Sequence, residues 1–218
     1  MSGGTRQQIL DRIRQSIRGG PTTSYLGLPR DYVHRGRLDR QACIALMVER
    51  LREYDAEVLE CQPVDLVACI EDCLRTSGKR VFVGPPGLPS EWLISGLIWK
   101  IDKDLTHAAI EASDGVVTAC VAGVADSGTI VLHHSPTEGR RVISLLPDWH
   151  LCILFTSQIV ETLPEYFARC EQPPKLATYI SGPSATADIE MTRIKGVHGP
   201  RFLHVIVVHG ETLAGRDT

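Results

Sequence analysis

The sequence predicts an α/β fold, a three-layer α/β/α domain around a mainly parallel sheet, and three observations carry that expectation. Short β-branched apolar runs bounded by Gly or Pro recur along the chain and alternate with stretches of helical apolar spacing. Residues 57–83 read strand, helix, strand, with a helix long enough for a crossover, so the strands run parallel and the connection is right-handed. Residues 114–121 read as a strand that, after Asp114, is apolar apart from Thr118, the pattern of a strand covered by helices on both faces.

Taken in order, residues 5–18 read as an amphipathic helix. Thr5 with Gln8 makes a capping box, Ile9, Ile13 and Ile17 form one face with Leu10, and Gly19-Gly20-Pro21 ends it. Arg6, Arg12, Arg14 and Arg18 occupy the other face, as a solvated surface or a docking surface. Residues 21–37 are polar and rich in turn formers, so residues 1–37 are expected to form a helix and arm and residues 38–218 the α/β domain. That domain opens with a helix over 39–54, apolar through Cys43, Ile44, Met47, Val48 and Leu51, then a strand near 57–61, a helix from Pro63 to Arg75 and a strand over 80–83. Residues 89–99 are ambiguous, a short helix capped by Ser90 being one reading. After 114–121 a turn at 125–129 leads to a strand at 130–132, an order that also fits a hairpin decorating the sheet. Residues 140–146 alternate weakly, and 151–155 form a buried strand with a structural histidine, His150, at its start. Ser157 caps a helix through Ile159, Val160, Leu163, Tyr166 and Phe167, and strands at 178–180 and 202–208 complete the order.

A hydrophobic share of 43% and a charged share of 22% over 218 residues are those of a globular chain with a sizeable core. Net charge −3 and pI near 6.2 leave no basic footprint for nucleic acid or an anionic membrane surface. No window carries an apolar run of membrane-spanning length, and the polar start lacks a secretory pattern, so a cytoplasmic location is expected. Seven cysteines, at positions 43, 61, 69, 73, 120, 152 and 170, fall mostly on apolar faces, where reduced thiols act as small hydrophobes. Cys69 and Cys73 share a helical spacing, but the closely spaced run that holds an iron–sulfur cluster is missing, so no metal or cluster is expected on this chain.

Residues 178–210 concentrate the chemistry. Between two strands stand Ser181, Gly182, Ser184, Thr186, Asp188, Glu190, Arg193, Lys195 and His198, hydroxyls, carboxylates and cations close together. Ser184 reads as the N-cap of a helical turn over 185–191, whose amides attract an anion, although Asp188 and Glu190 offset that field. Arg193 and Lys195 either pair with those acids or meet an acidic ligand, and His198, flanked by Gly196 and Gly199, is placed for acid–base work. The 125–129 turn adds Asp126, Ser127, Gly128 and Thr129, with a turn-stabilising Asp as the plain alternative. In a parallel sheet both loops belong at one edge, so Asp126, Asp188, Arg193 and His198 are expected to share a pocket with Ser181 and Ser184.

Three segments carry a family resemblance. GVADSGTIVL at 123–132, LLPDWH at 145–150 and SGPSATADIE followed by GVHGP at 181–200 are similar, in this order along the chain, to the signature of the LUD-domain family. One position departs from it: Asp126 stands where the family usually has Glu. The resemblance implies a fold of the sugar-phosphate isomerase and CoA-transferase type. It also implies a component of an L-lactate utilisation system, oxidising lactate to pyruvate beside partner subunits that carry iron–sulfur clusters. The residues themselves show no GxGxxG fingerprint or flavin motif, which points to an accessory or substrate-handling role with a small acidic ligand. The alternatives are a free-standing acyl-CoA transferase or sugar-phosphate isomerase using Asp126 or Asp188, and a purely structural module.

Overall fold

The computed structural model describes residues 3–17, 27–29, 31–172, 174–187, 193–195 and 199–211, and it divides into two compact units, Met1–Val33 and His34–Thr218. The first contains helix α1, Gly3–Ile17, which begins two residues before the expected cap, so Thr5 lies inside the helix. Its Ile9, Ile13 and Ile17 side chains are all exposed.

In the second unit, part of the expected arm is tied down. The Gly36 amide donates to Glu165 Oε1 at 3.0 Å and the Leu38 amide to Glu161 Oε2 at 2.6 Å. Asp39 then caps α2, Arg40–Glu53, its carboxylate accepting from the Ala42 amide at 2.8 Å. The chain continues through β1 (Glu57–Cys61), α3 (Leu66–Thr76), β2 (Val81–Gly84), β3 (Ile98–Ile101), α4 (His107–Glu111), β4 (Gly115–Ala119), β5 (Ala122–Val124), β6 (Thr129–Leu132) and β7 (Trp149–Phe155). It ends with β8 (Ile159–Val160), α5 (Leu163–Arg169), β9 (Thr178–Ile180), β10 (Ala185–Ala187), β11 (Arg193–Lys195) and β12 (Phe202–Val208).

Six strands form the expected parallel sheet in the order β1-β12-β7-β4-β2-β3. β1 and β2 are parallel members of it but not neighbours, because β12, β7 and β4 lie between them. Both faces are covered, which explains the continuous apolar runs. On one face Leu151, Ile153, Phe155, Ile206 and Val208 pack with Ile70 and Leu74 of α3; on the other Cys152, Leu154, Val205 and Val207 pack with Met47 and Leu51 of α2 and with Ile130 and Leu132. The second outer layer is therefore partly sheet. The strand-turn-strand order at 122–132 is a β5–β6 hairpin within a separate four-stranded sheet, β8-β5-β6-β9.

Several local expectations are overturned. Residues 140–146 hold a 3-10 turn, Arg141–Ser144, and Ser157 lies in another, Thr156–Gln158, that leads to β8 before α5 starts. Thr162, not Ser157, is the cap of α5, with Glu165 completing its capping box and Pro164 in its first turn. Residues 185–187 are a strand paired antiparallel with β11, not the helical turn that Ser184 was expected to cap. Tertiary pairing outweighs local capping preference here.

Candidate functional site

Two glycines seat the turns that build the site. Gly128 has φ +57°, and a Cβ there would stand 2.7 Å from the Arg50 Cβ. Gly182 has φ +87°, and a Cβ there would stand 2.8 Å from the Tyr54 carbonyl oxygen. Each adopts a left-handed conformation and lets its turn press against the carboxyl end of α2. Because β6 and β9 pair antiparallel with Ile130 opposite Ile180, Thr129 comes beside Ser181. Their hydroxyls lie 2.7 Å apart, and Thr129 Oγ1 is also 2.7 Å from Ser127 Oγ. The two turns do meet, through this small antiparallel sheet.

Next to them is a cavity of about 310 Å³ lined by Arg141, Ser144, Leu145, His150, Thr178 to Ser184, Gly199, Pro200 and Leu203. It lies at the amino ends of β7 and β12, since His150 and Leu203 are each the second residue of their strand and are register partners. A backbone bond from the Ser184 amide to the Pro200 carbonyl, 2.8 Å, draws the two flanks of the hairpin together. His150 is buried, with Nε2 2.8 Å from Thr118 Oγ1, and burial pushes its pKa down to about 4, so the ring is neutral at physiological pH. Arg140 and Arg141 differ sharply. Arg140 grips the buried Asp102 through Nε to Oδ2 at 2.8 Å and Nη2 to Oδ1 at 2.6 Å, holding that carboxyl below its usual range. Among the described residues the Arg141 guanidinium has no acidic partner, which leaves a cation at the cavity wall.

Segments from all three motifs thus border one cavity or touch its wall. The model of the LUD-domain family matches residues 44–208. The chain belongs to the LUD-domain family. It is 37% identical over 205 residues to lactate utilization protein C of Deinococcus radiodurans, covering 92% of this chain and 94% of that protein. Lactate utilization protein C of Bacillus subtilis is 35% identical over 235 residues, with 92% and 95% covered. The crystal structure of a DUF162 family protein from Deinococcus radiodurans superposes with a TM-score of 0.65 at 33% identity, covering 79% of this chain and 99% of that one.

In this LUD domain, Ser181, Gly182 and Ser184 line the cavity, and Ser127, Gly128 and Thr129 form the turn bonded to Ser181. Asp126 is exposed and does not line it; its amide donates to the Glu161 carbonyl at 2.9 Å, and its charge acts on Arg50. Thr186 stands on β10 opposite Ile194, and Arg193 on β11 opposite Ala187. Asp188 and His198 lie outside the described residues. Arg141 and Thr118 were missed as site residues, although Thr118 as the lone polar residue in an apolar run was a signal. No helix among the described residues is long and apolar enough to cross a membrane.

A second cavity of about 600 Å³ lies beyond the carboxyl ends of β4 and β7, the edge where open α/β sheets usually hold ligands. Several of its polar groups are already engaged. Gln158 accepts from the Phe155 amide at 2.9 Å and donates to the Cys120 carbonyl at 2.7 Å, and His133 Nε2 pairs with the Tyr166 hydroxyl. No described residue of the three motif segments lines it.

Proposed function

We propose that this LUD domain is the acid-handling subunit of an L-lactate utilisation system, binding a small carboxylate in the 310 Å³ cavity. The observation that carries the reading is a cavity lined by two motif segments, with the third bonded to its Ser181, whose wall holds an Arg141 guanidinium that has no acidic partner among the described residues. A guanidinium is matched to a carboxylate, and a cavity of this size suits a small molecule. The names of the relatives supply the physiological setting. Oxidation of lactate to pyruvate releases two electrons and two protons; in this reading iron–sulfur clusters on partner subunits accept the electrons, and this chain contributes substrate handling.

Two measurements test it. Calorimetric titration with L-lactate and with pyruvate should show saturable binding that weakens at least about tenfold, a loss of about 1.4 kcal/mol, in Arg141→Ala. Native co-purification from lactate-grown cells should recover iron-containing proteins with the tagged chain. Absence of acid binding together with recovery of the chain free of iron-containing partners would overturn the reading, as would turnover of an acyl-CoA or sugar phosphate by the chain alone.

A further inference from the structure

Thr118 and His150 form a buried pair whose hydrogen-bond arithmetic has only one solution. Thr118 is fully buried, and among the described residues its hydroxyl has a single partner, Nε2 of His150 at 2.8 Å. A buried hydroxyl proton needs an acceptor, and that nitrogen is the acceptor in reach. Thr118 therefore donates, Nε2 accepts, and the proton of the neutral ring sits on Nδ1. Among the described residues Nδ1 has no hydrogen-bond partner, although the side chain is 1% exposed. Buried polar groups in folded proteins are overwhelmingly satisfied, so one left over on a residue that lines a cavity marks a place for a ligand atom.

We infer that Nδ1–H of His150, set in this tautomer by Thr118, donates to a second oxygen of the bound acid, so that the cavity selects acids bearing an oxygen on the carbon next to the carboxylate. This rests on the carboxylate reading above and narrows it to 2-hydroxy and 2-oxo acids. Arg141 and His150 line the same cavity and offer complementary groups, one cationic and one uncharged. A neutral N–H suits a hydroxyl or carbonyl oxygen, and both accept from it, so the donor serves the 2-hydroxy acid and the 2-oxo acid alike. An acid without that oxygen leaves the buried N–H unpaired, the situation in which polar sites discriminate most strongly.

The test uses three probes of nearly one size: L-lactate, pyruvate and propionate, which keeps the carboxylate and lacks the 2-oxygen. In the full chain, lactate or pyruvate should bind at least tenfold more tightly than propionate by calorimetry. Thr118→Val, which removes the hydroxyl that sets the tautomer, should shrink that ratio to within about threefold, and Thr118→Ser should restore it. Nitrogen-15 NMR of the histidine-labelled wild-type chain at pH 7 should show His150 protonated on Nδ1 and bare on Nε2, a readout that needs no variant to fold. Propionate binding as tightly as lactate would overturn this inference and leave the carboxylate reading standing. Failure of all three acids to bind would overturn both, and a proton on Nε2 would overturn the tautomer and the selection built on it.

Discussion

Thr129 and Ser181 stand 52 residues apart in the chain, and their hydroxyls lie 2.7 Å from each other across the β6–β9 pairing. Ser127 Oγ extends the contact at 2.7 Å, so Thr129 joins the Asp126 turn to the serine that lines the cavity. Thr129→Val keeps the shape and removes the shared hydroxyl, so the exposed Ser127 and Ser181 exchange a protein partner for water. It should lower stability by about 1–2 kcal/mol in urea unfolding, and Thr129→Ser should recover most of the loss. A change within about 0.3 kcal/mol for the valine variant would show that the hydroxyl chain contributes nothing to the fold.

The buried neutral His150 ties stability to pH. Its folded pKa, about 4, lies below the usual value of 6.5, so between these values the unfolded chain holds a proton that the folded chain lacks. Stability therefore rises with pH through that window, and the penalty grows as pH falls from about 6.5 toward 4, with a slope of up to about 1.4 kcal/mol per pH unit. Urea unfolding at pH 7 and pH 5 should show the wild type losing more stability than His150→Phe. Equal losses would mean that the ring titrates normally in the folded protein.

Asp102 has a 1% exposed side chain, and Arg140, 43% exposed, holds it immediately before the turn that carries Arg141. Removing the cation leaves a buried carboxylate with the Leu105 amide at 3.2 Å as its remaining described partner. Arg140→Ala should cost about 2–3 kcal/mol, more than the Asp102→Asn, Arg140→Ala double variant relative to Asp102→Asn. The double-mutant cycle measures the coupling directly. Because the Asp102 pKa is depressed, the contribution is present above the normal carboxyl pKa and disappears as pH falls through the folded value, below 3.8.

Met1–Val33 forms a unit of its own, while Gly36 and Leu38 are bonded to Glu165 and Glu161. Limited proteolysis should cut first before His34 and leave a fragment with the α/β domain intact. Earlier cleavage within residues 40–170 would place the weak point elsewhere.

Periodicity and motif spacing alone were enough for the parallel sheet, α2, α3 and the segments at 123–132, 145–150 and 178–200, because apolar spacing and Gly-bounded turns are local properties written in neighbouring residues. The partners of those segments were not legible. Ser184 preceding Ala185–Ala187 has the local chemistry of a helix cap, yet the pairing with Arg193–Lys195 makes a strand. Arg140 and Arg141 are indistinguishable as letters; the carboxylate of Asp102, brought from 38 residues away, claims one and leaves the other facing the cavity. Thr118 becomes a tautomer-setting group only because β4 and β7 pair in a register that brings its hydroxyl to His150. The cavity itself lies at the amino ends of β7 and β12 because β9 of the β8-β5-β6-β9 sheet, residues 181–184 and Gly199-Pro200 meet the main sheet there. Such placement follows from long-range pairing and burial, whose free energies depend on residues far apart in the chain and therefore appear only once it is folded.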